Sequence, residues 1–247
     1  MNKILTRSLL SLMLLGSAAA HAAEPAAFSL APSAELRYTI KAKQSGIPVS
    51  GNATVQWQAD EKKYSVRSET RAMLVGKILD TGSRGSIDSF GLAPEQFNEK
   101  RFNKPETITT FDRAKKTLKF SASEQTYTLK GGEQDRSSAV WQVIALIRAT
   151  PEKAVTGQEW KLFVAGRRDA DPWTFRVVGN ETLQTAMGPQ ACLHLSKAPP
   201  ADSKDQQLDI WLAPGLDWYP VRLRFSDADG DFVDQTLESL KKTGANS

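Results

Sequence analysis

The sequence predicts a mostly β fold, in which a large antiparallel curled sheet carries one main helix. Apolar and polar residues alternate along most of the chain, turn-forming residues interrupt the alternation at short intervals, and a single segment has apolar residues at helical spacing. We expect the sheet to form a barrel, a half-barrel or a two-layer sandwich, because an open sheet of about a dozen strands usually curls or splits.

The N-terminal segment has the pattern of a secretory signal peptide. Lys3 and Arg7 precede a short apolar run, and Ala20-His21-Ala22 fits the small-x-small cleavage rule. We therefore expect residues 1–22 to be removed and the mature protein to begin at Ala23 in the periplasm. The apolar run is too short for a membrane span, which needs about 20 apolar residues, and no other segment approaches that length.

The remaining chain predicts a single domain. Residues 23–34 are rich in Ala and Pro and form a leader, residues 35–240 form one β-rich domain, and residues 241–247 form a tail. No internal repeat and no shift in composition marks a second domain.

Charge and cysteine content exclude several classes of protein. Without Lys3 and Arg7, the 32 basic residues fall to 30 against 28 acidic ones, so the net charge falls from +4 to +2. The two signs are mixed along the chain, which is typical of a solvated surface, and we expect no nucleic-acid partner. The single cysteine, Cys192, excludes an intramolecular disulfide, so the fold must depend on its core.

The strands follow from alternation with a period of two. In the first, Leu36, Tyr38 and Ile40 alternate with polar residues, so one face points to the core and the other to water. Turn-forming segments such as Ser45-Gly46 separate the strands and favour antiparallel hairpins. A last strand runs through Phe232 to Leu237. The other strands are marked by Ala53, Val55 and Trp57; Tyr64 and Val66; Leu162 and Val164; Phe175 and Val177; Leu193 and Leu195; Leu208, Ile210 and Leu212; and Tyr219, Val221, Leu223 and Phe225.

The segment from Ser137 to Ala149 breaks this pattern and predicts an amphipathic helix packed on the sheet. Asp135 is placed to cap its N-terminus, and Pro151 follows its end. We expect Gln142 to lie off the buried face, so that a substitution there is mild. The apolar face consists of Val140, Val143, Ile144 and Ile147, and Trp141 widens it.

Cys192 and His194 form the first candidate for chemistry. Two residues apart in a strand, they share one face, and a Cys–His dyad needs such proximity to form a reactive thiolate. No protease nucleophile motif surrounds them, so we interpret them as ordinary residues on one side of a strand and expect no catalytic residue.

A run of carboxylates near Gly230 is the second candidate. Asp227, Asp229 and Asp231 occupy alternate positions, as calcium ligands often do, which makes them weak candidates for a metal site. Phe232 stands where an EF-hand loop requires Gly, and the flanks predict strands. An Asp-Gly hairpin turn explains the same residues, so we expect neither a metal nor a cofactor.

The six tryptophans are the main candidates for ligand contact. Binding pockets are mostly apolar and often have aromatic walls, whereas core packing is the alternative for any single tryptophan. We expect Trp57, Trp141 and Trp211 to contact a ligand in a cavity lined by inward-facing strand residues.

Four short segments, in this order along the chain, give the sequence a resemblance to an exported bacterial family known as domain of unknown function number 3108. They are Gly46-Ile47-Pro48-Val49-Ser50-Gly51, Gln134-Asp135 with Ser138, Ile210-Trp211-Leu212-Ala213, and Pro220-Val221-Arg222-Leu223-Arg224. The resemblance implies a periplasmic β domain and carries no catalytic residues. A curved sheet with a helix also resembles the periplasmic lipoprotein carriers in architecture, and fold does not imply function.

Three hypotheses of function follow. The first is a non-enzymatic periplasmic protein that binds an apolar or amphipathic envelope molecule, such as a lipid, or a protein partner in envelope biogenesis. The second is a scaffold or interaction protein with a filled core and no ligand cavity. The third is an envelope hydrolase, which a cluster of titratable groups in a cleft would favour. A cavity lined by tryptophans would distinguish the first from the second.

Overall fold

Among the residues that the structure describes, fifteen strands form one sheet. The computed structural model describes residues 25–199 and 206–244, so the predicted signal peptide lies outside the described residues, as do the ends of the predicted leader and tail. The strands are β1 (Ala34–Gln44), β2 (Ile47–Ala59), β3 (Lys63–Ala72), β4 (Gly76–Asp88), β5 (Gly91–Arg101), β6 (Thr107–Asp112), β7 (Thr117–Phe120), β8 (Ser123–Thr128), β9 (Gln134–Asp135), β10 (Glu159–Ala165), β11 (Ala170–Thr185), β12 (Gly188–Lys197), β13 (Gln207–Ala213), β14 (Tyr219–Ser226) and β15 (Phe232–Lys242).

The first and last strands lie together at the centre of this sheet. In space the order is β8-β7-β6-β5-β4-β3-β2-β1-β15-β14-β13-β12-β11-β10-β9. Neighbouring strands pair in antiparallel fashion, and the short β9 pairs with β10 in parallel. The sheet is therefore two meanders joined through β1 and β15, which a chain with hairpin turns at close intervals readily forms.

Alternation along the strands matches the prediction. In β1, Leu36, Tyr38 and Ile40 are buried, whereas Arg37 and Thr39 are exposed. Because successive side chains of a strand point to opposite faces, this pattern gives the sheet one apolar face and one polar face. The predicted count of about a dozen strands is too low, since short strands such as β8 and β9 carry too few apolar residues to show the period.

The predicted helix is present as α1 (Ser138–Ala149) and packs on the apolar face of the sheet. Ser137 is its N-cap residue, and the Asp135 Oδ1 atom accepts hydrogen bonds from the backbone N–H groups of Ser137 (2.8 Å) and Ser138 (2.9 Å). Asp135, the residue predicted to cap the helix, thus satisfies two N–H groups that the start of a helix leaves unpaired, from a position two residues before the N-cap residue Ser137. Two short 3₁₀ turns, Pro151–Lys153 and Pro214–Leu216, complete the helical elements of the described chain.

The expected position of Gln142 on an outer face of the helix is wrong. Every residue from Ser138 to Ile147 is buried, including Gln142. The Gln142 side chain points to the β4–β5 turn and the start of β5, where its Nε2 atom donates to the Phe90 carbonyl at 2.7 Å and its Oε1 atom accepts from the Leu92 N–H at 2.8 Å. The helix is enclosed on several sides because the sheet curls around it.

The sheet is curled but open, so of the three expected arrangements the structure has the half-barrel, and neither the closed barrel nor the two-layer sandwich. Its edge strands are β8 and β9. The two halves meet through side chains: Gln134 Nε2 donates to the Leu92 carbonyl at 2.6 Å, and Thr109 Oγ1 donates to the Gly166 carbonyl at 2.9 Å. Side-chain contacts of this kind hold the curl without a continuous ladder of backbone hydrogen bonds.

Several hairpin turns lie side by side at one end of the sheet, which we call the mouth end. They are the β1–β2, β3–β4, β5–β6 and β14–β15 turns, as the pairing of residues near them requires. The C-terminal half of α1 lies toward the other end, where Arg148 Nη1 donates to the Asp217 carbonyl at 2.7 Å. The helix consequently fills the concave face away from the mouth end and leaves the mouth end open.

Candidate functional site

A cavity of about 780 Å³ occupies the concave face of the sheet at the mouth end, and we call it the groove. This volume lies within the range of about 300–1,000 Å³ that is typical of small-molecule sites. The N-terminal half of α1 forms the floor of the groove, and strands from both halves of the sheet form its walls. The apolar and aromatic residues of the lining include Tyr38, Ile40, Val55, Val66, Ile78, Leu79, Phe97, Val140, Trp141, Trp173, Leu208, Leu223, Phe225 and Val233.

Of the three tryptophans predicted to contact a ligand, Trp57, Trp141 and Trp211, Trp141 alone lines the groove. Its ring stacks on the ring of Trp57, with centroids 4.3 Å apart and an interplanar angle of 5°, and meets Tyr219 edge-on at 6.2 Å. Such packing holds a large ring in one orientation, so the groove has a rigid aromatic floor.

Trp57 lies behind Trp141 rather than in the wall. It is 1% exposed, and its Nε1 atom donates to the Ala31 carbonyl at 3.0 Å. The hydrogen bond satisfies the indole N–H in the core. Trp57 can therefore act on a ligand only through the position it gives Trp141.

Trp211 lies on the opposite, convex face of the sheet. Its ring stacks on His194 with centroids 4.4 Å apart, and the Arg222 guanidinium lies over it at 4.6 Å. Its Nε1 atom donates to Glu181 Oε1 at 2.5 Å. These contacts belong to a polar ladder across strands β11 to β14, separate from the groove.

A fourth residue, Trp173, lines the groove but was not among the three expected ones. It lies in β11, and the Lys197 ammonium is 4.7 Å from its ring centroid. The period-two pattern of β11 indicates that Trp173 and Phe175 share the inward face. That signal could have identified Trp173 as an inward residue, although it could not indicate that a cavity lies beside it.

Charged side chains stand at the mouth of the groove. Arg71, Glu99, Arg101 and Lys197 are among its lining residues. Arg101 Nε donates to Glu99 Oε1 at 2.5 Å, and Glu99 is buried. The groove thus has an apolar interior and a charged rim, which is the arrangement that suits a ligand with an apolar chain and a polar head.

A buried network holds the start of α1, which forms the floor of the groove, against β3 and β4. Ser83 Oγ donates to Asp135 Oδ2 at 2.5 Å, and the Tyr64 hydroxyl lies 2.9 Å from Ser83 Oγ. Burial raises the pKa of Asp135 to about 6, and the hydrogen bonds from Ser83, Ser137 and Ser138 oppose that rise. This carboxylate fixes the helix and is not itself in the groove lining.

Cys192 and His194 share one face of β12, as expected, but their contacts differ. Cys192 Sγ donates to the Gln190 carbonyl at 3.3 Å, whereas His194 lies 3.1 Å from Asp209 Oδ1 and 3.3 Å from Glu181 Oε1. Burial raises the pKa of the Cys192 thiol to about 11, which disfavours the thiolate that a nucleophile requires.

The carboxylates near Gly230 form a turn between β14 and β15. Asp227 Oδ1 accepts from the backbone N–H groups of Asp229 (3.2 Å) and Asp231 (3.1 Å). The Asp231 carboxylate accepts from the backbone N–H groups of Ser45 and Gly46 in the neighbouring turn. Within residues 25–199 and 206–244, no group of three or more His, Cys, Asp or Glu is arranged to hold a metal ion.

The sequence matches the family described as "Protein of unknown function (DUF3108)" over residues 37–238. Among curated proteins, none matches it. In the part of the chain that the structure describes, no helix is both long enough and apolar enough to cross a membrane.

Several solved structures share features of the fold at low sequence identity. MucB is 10% identical, with a TM-score of 0.33, and the match covers 87% of this chain and 55% of MucB, so the chain spans about half of that protein. A candidate outer membrane lipoprotein-sorting domain from Vibrio parahaemolyticus is 9% identical (TM-score 0.32, covering 87% and 88% of the two chains). A candidate exported protein with a YmcC-like fold from Bacteroides fragilis is 11% identical (TM-score 0.39, covering 87% and 100%). TM-scores this low say nothing about the activity of this chain.

Proposed function

The chain belongs to the DUF3108 family, and we propose that it is a non-enzymatic periplasmic protein that binds the acyl chain of an amphipathic envelope lipid in its groove. The observation that carries this proposal is the cavity of about 780 Å³ with an apolar wall and the rigid Trp141 ring as its floor. The periplasmic location rests on the signal-peptide pattern of residues 1–22.

The chemistry of the lining supports an apolar ligand. Val66, Val140, Leu223 and Phe225 come from two different strands and the helix, yet all face the same space. Water in contact with such a surface is released when an acyl chain covers it, which favours binding in proportion to the apolar area buried. The charged rim leaves a polar headgroup in contact with solvent.

The position of the reactive residues supports a role without catalysis. His194 is the one histidine in the described residues, and it lies on the convex face with Cys192. A nucleophile and a base must reach the same substrate atom, so groups on the far side of the sheet cannot act on a ligand in the groove.

Fluorescence quenching by a brominated fatty acid tests this proposal. Bromine quenches an indole at close range, so bromostearate bound in the groove should quench Trp141 and Trp173. Trp141→Phe should reduce the quenching, whereas Trp211→Phe, which removes a ring from the convex face, should leave it unchanged. If Trp141→Phe and Trp211→Phe reduce the quenching equally, or if the wild type shows no saturable quenching, the result favours a scaffold protein that binds no ligand.

A variant that fills the groove provides a second test. Ser68 lies in the lining, and Ser68→Phe would occupy part of the volume without removing an apolar contact. Thr39→Phe is the matched control, because Thr39 is exposed on the convex face of β1. Native mass spectrometry of protein purified from its own periplasm should find a retained lipid in the wild type and in Thr39→Phe, and less of it in Ser68→Phe.

A further inference from the structure

The mouth end of the sheet carries a patch of exposed apolar side chains, which we call the mouth patch. Met73, Leu74 and Val75 follow one another in the β3–β4 turn and are 77%, 97% and 52% exposed. Ile47 (65%), the first residue of β2, and Phe102 (50%), in the β5–β6 turn, belong to the hairpin tips on either side. Scattered apolar residues are normal on a protein surface, but neighbouring ones at the tips of adjacent hairpins mark a contact site.

Backbone hydrogen bonds hold these tips side by side. The Met73 N–H donates to the Ser50 carbonyl at 3.0 Å, which joins the β3–β4 turn to β2. The Phe102 N–H donates to the Ile78 carbonyl at 2.8 Å, which joins the β5–β6 turn to β4. Ser50 and Ile78 both line the groove. The mouth patch is therefore continuous with the rim of the groove.

Basic residues predominate directly behind the mouth patch. Residues 73–75 are flanked by Arg71 on one side and Lys77 on the other, and Phe102 directly follows Arg101. In segments 71–77 and 100–106 there are five basic residues and one acidic residue. Apolar side chains thus stand at the apex, and cations form the layer directly behind them.

The carboxylates that pair with these cations belong to residues further along the strands from the apex. Glu69 precedes Arg71 by two residues, Asp80 follows Lys77 by three, and their ion pairs measure 2.7 Å and 3.0 Å. Because a strand rises by about 3.4 Å per residue, the backbones of Glu69 and Asp80 are about 7–10 Å further from the apex than those of Arg71 and Lys77, whereas the paired charged groups themselves lie within 3.0 Å of each other. The turn that carries Asp227 to Asp231 lies beyond the β1–β2 turn and is bonded to its backbone.

Apolar side chains at the apex, with an excess of basic residues directly behind them, match the depth profile of an anionic lipid surface, where acyl chains lie beneath a layer of phosphates. We propose that the mouth patch docks on a membrane surface that contains anionic phospholipids, with Leu74 inserted among the acyl chains and Arg71, Lys77 and Arg101 at the level of the phosphates. Docking in this orientation brings the opening of the groove against the bilayer, so that a lipid can pass between them. The proposal deepens the proposed function and rests on it for the purpose of docking, although docking itself needs no occupied groove.

Flotation with lipid vesicles tests this docking. Vesicles of phosphatidylethanolamine with phosphatidylglycerol supply an anionic surface, and vesicles of phosphatidylcholine supply a neutral one. The mature protein should float with the anionic vesicles and bind the neutral ones more weakly. Leu74→Glu should reduce binding to anionic vesicles by about tenfold or more, since a charged side chain replaces the apolar one that inserts.

Val155→Glu is the matched control, because Val155 is 60% exposed and lies before β10, away from the mouth end. It should bind vesicles as the wild type does. Leu74 is 97% exposed in a turn, so Leu74→Glu should retain the melting temperature of the wild type, which shows that any loss of binding is not a loss of folding.

Specific outcomes would overturn the docking. The docking is overturned if the wild-type protein does not float with anionic vesicles. It is also overturned if the Leu74→Glu protein floats with them as well as the wild type does. A wild type that sediments as a dimer, with a monomeric Leu74→Glu variant and no vesicle binding, would assign the mouth patch to a second copy of the chain. If the protein retains a lipid but does not bind vesicles, the proposed function stands and the docking is wrong. If it floats with vesicles but binds no acyl chain, the docking stands and the proposed function is wrong.

Discussion

The side-chain amide of Gln142 lies directly against the Cα atom of Gly91. A Cβ atom on residue 91 would stand 2.5 Å from Gln142 Oε1, and Gly91 has a φ of +103°, a conformation that other residues rarely adopt. The amide reaches past this glycine to bond the backbone on both sides of it, at Phe90 and Leu92. The contact joins the helix to the β4–β5 hairpin.

Removing this amide should destabilise the protein. Gln142→Ala leaves the Leu92 N–H and the Phe90 carbonyl without their partner, and we expect a loss of about 2–3 kcal/mol in the free energy of unfolding. Gln184→Ala, at an exposed glutamine of β11, should cost less than about 0.5 kcal/mol. Urea denaturation of both variants measures the difference, and equal stability would contradict the role of the contact.

Gly91 and Gln142 should also be coupled. Gly91→Ala places a Cβ atom where the amide now lies, so part of its cost should vanish when Gln142 is already Ala. A double-mutant cycle measures this coupling. If the two losses in the free energy of unfolding are strictly additive, the cost of Gly91→Ala comes from backbone strain alone and not from contact with the amide.

Asp135 should make the stability depend on pH. Because burial raises its pKa from 3.8 to about 6, the folded protein binds more protons at this site than the unfolded chain does between these values. The contribution of Asp135 to the free energy of unfolding is therefore greatest below about pH 4 and falls, by roughly 2–3 kcal/mol in all, as the pH rises through about 6.

The isosteric variant Asp135→Asn isolates this effect. It removes the titration while its amide oxygen still accepts from the N–H groups of Ser137 and Ser138. Relative to this variant, the wild type should lose stability between pH 4 and pH 7. A difference between the two proteins that stays constant over this range would contradict a raised pKa.

The Cys192 thiol should be unreactive in the folded protein. Burial raises its pKa to about 11, so the thiolate fraction near neutral pH is about a hundredfold lower than for an ordinary cysteine. Ellman's reagent should modify it slowly in the native state and rapidly in urea. Cys192→Ala should retain the fold with a loss of at most about 1–2 kcal/mol, and a folded variant with a null phenotype would point to a role of the thiol together with His194.

Signal processing is testable without the structure. The Ala20-His21-Ala22 site predicts a mature N-terminus at Ala23. Intact mass of the protein from the periplasmic fraction should lack the first 22 residues. An uncleaved chain in the membrane fraction would instead indicate an anchor.

The sequence by itself determined the class of fold, since the physical signal lies in neighbouring residues. Successive strand residues point to opposite faces, so the alternation in β1 was sufficient to assign Leu36 and Tyr38 to the core. The apolar spacing in α1 likewise located the helix to within one residue at its start. Gln142 was misplaced because helical periodicity assumes one solvent face, and only the curl of the sheet covers the other sides of this helix.

The candidate groove depended on tertiary structure. Trp141, Trp173 and Trp211 are all largely buried, and no local pattern distinguishes the ring that lines a cavity from the ring on the convex face. Which face becomes concave depends on the curl of the whole sheet, and how much of it stays open depends on how far α1 extends across it. Both depend on contacts between residues far apart in the chain, such as Gln142 with the hairpin around Gly91, and a period of two along one strand contains no information about them.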